Sequence, residues 1–115
     1  MYLVRMLIDN RLMQTQEQID RYILALRNIQ LWKSTRLKPE YLEDLFYGLD
    51  DDTEHIPPMQ HLQLYIESHE INLLTDTLLK VTPIHIERAS WWLEHFYLRL
   101  LVSPDTEGIL KQKFY

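Results

Sequence analysis

The chain has 115 residues, of which 46% are hydrophobic, 25% are charged and none is cysteine. This length suits a single domain over residues 1–115, whose core can form without disulfides or a structural metal, so a disulfide-rich secreted scaffold is excluded. The net charge of −5 disfavours nucleic acids and anionic membranes as ligands and favours a neutral or basic partner. Without a signal sequence or an apolar run that could span a membrane, we expect a cytoplasmic protein.

The composition predicts helices throughout. Only two glycines occur, leucine is frequent, and the Asn-Gly and Asp-Gly pairs that typify tight hairpins are missing. We therefore predict an all-α fold, a compact array of six or seven helices. A solenoid-like stack of helix pairs is one version of this array, although no repeat of fixed period is visible.

In the first half, a short helix is expected over residues 2–12. Thr15 and Gln18 have the spacing of a capping box, which predicts that the second helix begins there and ends near residues 31–32. Pro39 suits the first turn of a third helix, which ends near Gly48.

In the second half, an acidic loop separates the third helix from the rest. Proline and serine start signals then predict helices from Pro57–Pro58 through Ile66, over 71–81, over 84–102 and over 103–114. In this interpretation Pro83 opens the helix 84–102 and Ser103 caps the terminal helix.

The helix over 84–102 is apolar on most of its circumference, which is typical of a central buried helix. Trp91 and Trp92 are adjacent and point about 100° apart, so both are buried only if this helix is packed on two sides. We predict that packing. The alternative is that one tryptophan lines an exposed binding groove.

Charge is unevenly distributed along the chain. Residues 1–38 carry seven basic and three acidic residues, whereas residues 39–79 carry ten acidic residues and no Lys or Arg. Seven of these acids lie between positions 40 and 54, interleaved with Tyr41, Phe46 and Tyr47. Such a cluster can steer a basic protein partner, with the aromatic residues as anchors. The alternative is a solvated acidic face whose aromatic residues turn into the core.

The sequence offers little support for metal or catalytic chemistry. Residues 50–54 lack the glycine and the terminal glutamate of an EF-hand calcium loop. The five histidines show no metal-binding spacing, and no nucleophile elbow or glycine-rich phosphate loop occurs. We therefore predict no metal, no cofactor and no enzymatic activity. An enzyme that uses carboxylate pairs is the minor alternative.

An ordered series of short motifs resembles the helical immunity proteins of bacterial polymorphic-toxin systems, most closely immunity protein family thirty. The resemblance covers roughly residues 45–110, whereas residues 1–40 match no family. Its motifs are Asp52-Thr53-Glu54-His55, Met59, His61-Leu62, Tyr65-Ile66-Glu67, Leu78-Leu79, Thr82-Pro83, Ala89-Ser90-Trp91-Trp92 and Tyr97-Leu98-Arg99-Leu100-Leu101.

The resemblance implies a non-enzymatic protein that binds and neutralises a cognate antibacterial toxin domain, made beside that toxin. Many such toxins are nucleases with basic clefts, which an acidic surface could fill. On this hypothesis the partner-binding residues are Glu43, Asp44, Tyr47, Asp50, Asp51, Asp52, Glu54 and His55, with Tyr41 as a further packed contact. The alternative function is a helical adaptor whose apolar groove takes a partner helix, with no toxin involved.

Overall fold

The computed structural model describes residues 2–31 and 39–102, and this part of the chain is built of six α-helices without strands. They are α1 (Tyr2–Asp9), α2 (Gln16–Gln30), α3 (Pro39–Phe46), α4 (Ile56–Glu67), α5 (Ile71–His85) and α6 (Ser90–Val102). The predicted all-α fold is confirmed. The helix expected over 103–114 falls outside the described residues.

Helix α2 begins where its capping signal predicts. The Thr15 hydroxyl accepts a hydrogen bond from the Gln18 backbone N–H at 3.2 Å. The Gln18 side chain reaches one residue further back than in a capping box and accepts from the Gln14 N–H at 2.8 Å. The first bond satisfies a backbone donor that a helix start leaves free, and the second fixes the residue before the cap.

Helix α4 occupies the centre of the array. It contacts α2, α3, α5 and α6, and Met59, Leu62 and Ile66 on it are fully buried. The prediction of a central α6 is wrong, because within the described residues α6 packs with one face only. That face lies on α4 and α5, and its Phe96 ring contacts the Phe46 ring of α3. Its inner face carries Trp92, which is 1% exposed, whereas Trp91 on the outer face is 41% exposed.

Proline 83 does not open a new helix, contrary to the prediction. Helix α5 continues through it to His85, and α6 begins only at Ser90. A proline removes one backbone hydrogen bond from a helix. Here the exposed proline ring lies two residues before the end of α5, so little of the helix follows the missing bond. Directly before the proline, the Thr82 hydroxyl donates to the Leu78 carbonyl at 2.6 Å. The polar Thr82 side chain also bonds the Tyr97 hydroxyl at 2.7 Å, which ties α5 to α6.

Close packing after α3 depends on Gly48. Its carbonyl accepts a hydrogen bond from the buried Tyr22 hydroxyl at 3.0 Å. A Cβ at this position would lie 2.8 Å from Leu7 Cδ2 and 3.0 Å from Leu62 Cδ2. The glycine therefore lets the chain pass between α1 and α4.

Replacing Gly48 with alanine tests this packing. We expect Gly48→Ala to lower the free energy of unfolding by about 1–3 kcal/mol, because the added methyl group overlaps two buried leucines. Urea unfolding followed by circular dichroism measures the change. Gln60→Ala, at an exposed position of α4, is the control and should change stability by less than about 0.5 kcal/mol. Equal urea midpoints for Gly48→Ala and the wild type would contradict this account.

Candidate functional site

The acidic turn, residues 50–54, connects α3 to α4 and holds four of the predicted binding residues. It begins with Asp50, which is only 3% exposed. One carboxylate oxygen of Asp50 pairs with Arg11 Nε at 3.0 Å, and the other accepts from the Asp52 N–H at 2.9 Å. The Asp50 carbonyl accepts from the buried Trp92 indole N–H at 3.1 Å. Asp50 is thus fully engaged inside the protein.

Asp51 is exposed and caps the start of α6. Its backbone N–H donates to the Arg88 carbonyl at 2.9 Å. Its carboxylate accepts from the Ser90 hydroxyl at 3.0 Å and from the Trp91 N–H at 3.1 Å. A negative charge at a helix N-terminus also interacts favourably with the helix dipole. The acidic turn therefore supplies the start signal of a helix that lies far along the chain.

Asp52 and Glu54 are the exposed acids of the turn whose carboxylates are unpaired within the described residues. Among the described residues, neither carboxylate has a hydrogen-bond or ion-pair partner. The backbone at this point is nevertheless fixed, because the Glu54 N–H donates to the Leu12 carbonyl at 2.9 Å. The turn thus presents two free negative charges on an anchored main chain.

Three predicted residues precede the turn: Glu43 and Asp44 on α3, and Tyr47 directly after α3. Glu43 forms an ion pair with Lys80 at 2.8 Å. Asp44 lines a cleft against α1, and burial followed by the neighbouring Glu43 charge raises the pKa of Asp44. Tyr47 lines the same cleft. These three side chains are half-buried, so part of each remains accessible to a partner.

His55 stands at a third place, the start of α4. It lines a cavity of about 370 Å³ together with His61 on α4 and Arg27 on α2. The predicted site residues are therefore brought together only in part. The turn forms one group, Asp44 and Tyr47 belong to the α1–α3 cleft, and His55 belongs to the α2–α4 cavity.

Trp91 was not among the predicted binding residues, yet it is exposed beside the acidic turn. It lines a cavity with Asp51, Thr53, Ile56 and Trp92. The sequence signal for it was the Trp91-Trp92 pair, since adjacent helical residues diverge and one of them faces outward unless both sides are packed. The prediction that both are buried is wrong, and the alternative interpretation fits Trp91.

A polar cluster around the buried His85 contacts the acidic turn, because the Arg88 carbonyl accepts from the Asp51 N–H. Arg88 Nη2 donates to His85 Nδ1 at 2.9 Å, and the Tyr47 ring packs edge-on against His85 at 4.3 Å between ring centroids. His85 is 2% exposed. Its burial, together with the adjacent Arg88 charge, lowers the pKa of His85 to about 4. The imidazole is therefore neutral at pH 7, with its proton on Nε2.

The described residues contain no group of three or more His, Asp or Glu side chains that could hold a metal ion. No helix within 2–31 and 39–102 is long and apolar enough to cross a membrane. The candidate site consists of the exposed carboxylates of the acidic turn, the exposed Trp91 and the half-buried residues Glu43, Asp44, Tyr47 and His55.

The sequence profile of the Immunity protein 30 family matches residues 9–110. The chain belongs to this family of immunity proteins, and the match extends into the first forty residues, where sequence reading found no resemblance. An immunity protein protects against a toxin, so membership implies a toxin as the partner. No curated protein and no solved structure matches the chain.

The two neighbouring acids Asp50 and Asp52 give a matched test of the turn. We expect Asp50→Asn to lower the free energy of unfolding by about 2 kcal/mol or more, because it leaves Arg11 beside a neutral group. Asp52→Asn should change it by less than about 0.5 kcal/mol, since this carboxylate is exposed and unpaired. Chemical denaturation of both variants at neutral pH makes the comparison. Equal destabilisation would show that Asp50 has no special structural role.

The lowered pKa of His85 predicts that the protein loses stability in weak acid. The folded-state pKa of about 4 lies below the ordinary value near 6.5, so the unfolded chain takes up the proton first as pH falls. The stabilising contribution is complete above about pH 6.5 and declines as pH falls toward 4. Between pH 7.5 and 5.5 we expect His85 to account for a loss of about 1 kcal/mol.

Urea unfolding of the wild type and His85→Gln at both pH values measures this contribution. Glutamine can still accept from Arg88 but does not titrate, so the variant should lose less stability than the wild type over this range. The other titrating groups are common to both proteins and cancel. Identical pH dependence in the two proteins would refute the assignment.

Proposed function

We propose that this protein binds a cognate antibacterial toxin domain in the cytoplasm and neutralises it, with exposed acids of residues 40–54 contacting basic side chains of the toxin. Two observations support the proposal. The chain belongs to an immunity protein family, and the acidic turn carries free carboxylates at Asp52 and Glu54 on an anchored backbone. The second observation is the one that supports this surface as the proposed contact.

A nuclease is the toxin class that suits this surface best. A nuclease cleft has to be basic to hold phosphate groups, so an acidic protein surface competes for the same positive charges. Opposite charges also accelerate association, which favours capture of the toxin before it reaches nucleic acid. The protein needs no catalytic group for this role, because occupation of the cleft is sufficient.

The structure refines which residues we propose as contacts. Asp51, Asp52 and Glu54 of the turn are exposed, whereas Asp50 is buried and positions them. The half-buried residues at the other two places remain proposed contacts at the edge of the surface: Glu43, Asp44, Tyr47 and His55. Asp50 therefore acts through the turn and not by touching the toxin.

The adaptor alternative keeps one supporting feature, the α2–α4 cavity. Its walls include Ile23, Leu26 and Pro58, which could accept an apolar side chain of a partner helix. Binding there would depend little on salt, whereas binding through the acidic turn weakens as salt screens the charges. Affinities measured at about 50 and 500 mM salt therefore separate the two functions.

The proposed function is tested by asking whether the protein protects a bacterium from a toxin domain. Candidate toxin domains encoded beside the gene for this chain are expressed in a bacterium with or without the protein. We expect one of them to stop growth alone and to be tolerated when the protein is present. Failure of the protein to protect against any of these domains would contradict the proposed function.

Charge reversal on the turn tests the surface. We expect Asp52→Lys with Glu54→Lys to slow association with that toxin by about 10-fold or more at low salt, because both free carboxylates become repulsive. Glu17→Lys with Asp20→Lys makes the same change of net charge on α2 and should have little effect. Stopped-flow or surface-plasmon measurements give the rates. Equal rates for the two double variants would place the toxin elsewhere.

A further inference from the structure

A cavity of about 330 Å³ opens between the acidic turn and the first turn of α6. Two large apolar side chains on its wall face solvent, since Trp91 is 41% and Ile56 is 45% exposed. Clustered apolar surface of this kind marks interaction sites, and tryptophan is among the residues most enriched at binding hot spots.

The tryptophan is held in place before any partner arrives. Its ring lies 4.7 Å from the Trp92 ring, edge to face, and 4.0 Å from the His95 ring, measured between centroids. Its backbone N–H is fixed by Asp51. A side chain that is already ordered loses little entropy on binding, so Trp91 is a pre-organised contact.

The charged group of the cavity is an acceptor, the Asp51 carboxylate. The Asp51 carboxylate accepts at three positions, two of which share the bifurcated Trp91 N–H while the third takes the Ser90 hydroxyl. A carboxylate has about four acceptor positions, so one stays available. Asp52 and Glu54 add negative charge next to it in the chain, and no basic side chain lines this cavity among the described residues.

An indole, an aliphatic wall and a carboxylate together match one side chain best. A guanidinium is planar, stacks on indole and donates to a carboxylate, while its aliphatic stem packs on apolar surface. An ammonium is more strongly hydrated and lacks the flat face, and a neutral apolar side chain would leave the carboxylates without a counter-charge.

We propose that this cavity, which we name the Trp91 cavity, receives one arginine side chain of the toxin domain, stacked on Trp91 and hydrogen-bonded to Asp51. The inference rests on the proposed function, because the toxin supplies the arginine. It adds a specific anchor at the centre of a surface that otherwise attracts by charge.

The cavity can be tested with defined small molecules. The full chain, labelled with ¹⁵N, is titrated with N-acetyl-argininamide while the indole N–H signals are recorded, and Trp91→Phe assigns the signal of Trp91. We expect this signal to shift with roughly millimolar affinity. N-acetyl-citrullinamide has nearly the same shape without the charge and should bind at least about 5-fold more weakly. Equal shifts with both compounds, or none with either, would overturn the proposal.

The cavity can also be tested with the toxin. We expect Trp91→Ala to weaken toxin binding by at least about 10-fold, with Trp91→Phe closer to the wild type because a ring face remains. Ile84→Ala, which removes an exposed apolar side chain at the end of α5, is the control. Thermal melting of each variant verifies that it is folded.

The outcomes separate this inference from the proposed function. Unchanged toxin affinity of folded Trp91→Ala would overturn the arginine cavity and leave the immunity function intact. If no toxin binds the wild type, the proposed function fails, and the arginine titration alone decides the chemistry of the cavity. A second copy of this chain as occupant would appear in sedimentation as a dimer that Trp91→Ala dissociates, and that result would also overturn the proposal.

Discussion

The buried Asp50 carboxylate is the interaction on which this architecture depends. It pairs with Arg11 from the connection between α1 and α2 and stabilises its own turn through the Asp52 N–H, while its carbonyl holds the Trp92 indole of α6. Taking a carboxylate out of water is costly unless hydrogen bonds and an opposite charge compensate it. Both are present, and the Asp50 carbonyl adds the bond to Trp92, so one short turn fastens the first connection of the chain to its last described helix.

This constraint explains how one acidic run can serve both structure and binding. Its first aspartate is buried and its second caps α6, so the backbone of the turn is fixed on two sides. The next acids, Asp52 and Glu54, then project from a rigid support with carboxylates that are unpaired within the described residues. Rigid support lowers the entropy cost of binding, which is why we assign affinity to the exposed residues and stability to the buried one.

The helical class and the start of α2 could be predicted from sequence, because a capping threonine and a helical period are local signals. The separate roles of the acids could not, since Asp50 is paired by Arg11, 39 positions away, and Asp51 caps a backbone N–H 40 positions away. The helix start predicted at Pro83 was wrong, because proline is a local signal for a first helical turn. A proline near the end of a helix gives the same signal, and α5 ends only two residues later, at His85. The exposure of Trp91 could be foreseen only as an alternative, because tertiary contacts decide which side of α6 is packed.

Carboxylate labelling of the free protein and of its complex with the toxin tests the central claim most directly. A carbodiimide with an amine modifies accessible acids, and tandem mass spectrometry locates each modified residue. We predict that Asp52 and Glu54 are labelled in the free protein and protected in the complex, that Asp50 is unlabelled in both, and that Glu17 and Asp20 are labelled in both. Labelling of Asp50 in the free protein, or equal labelling of Asp52 and Glu54 with and without toxin, would contradict the account.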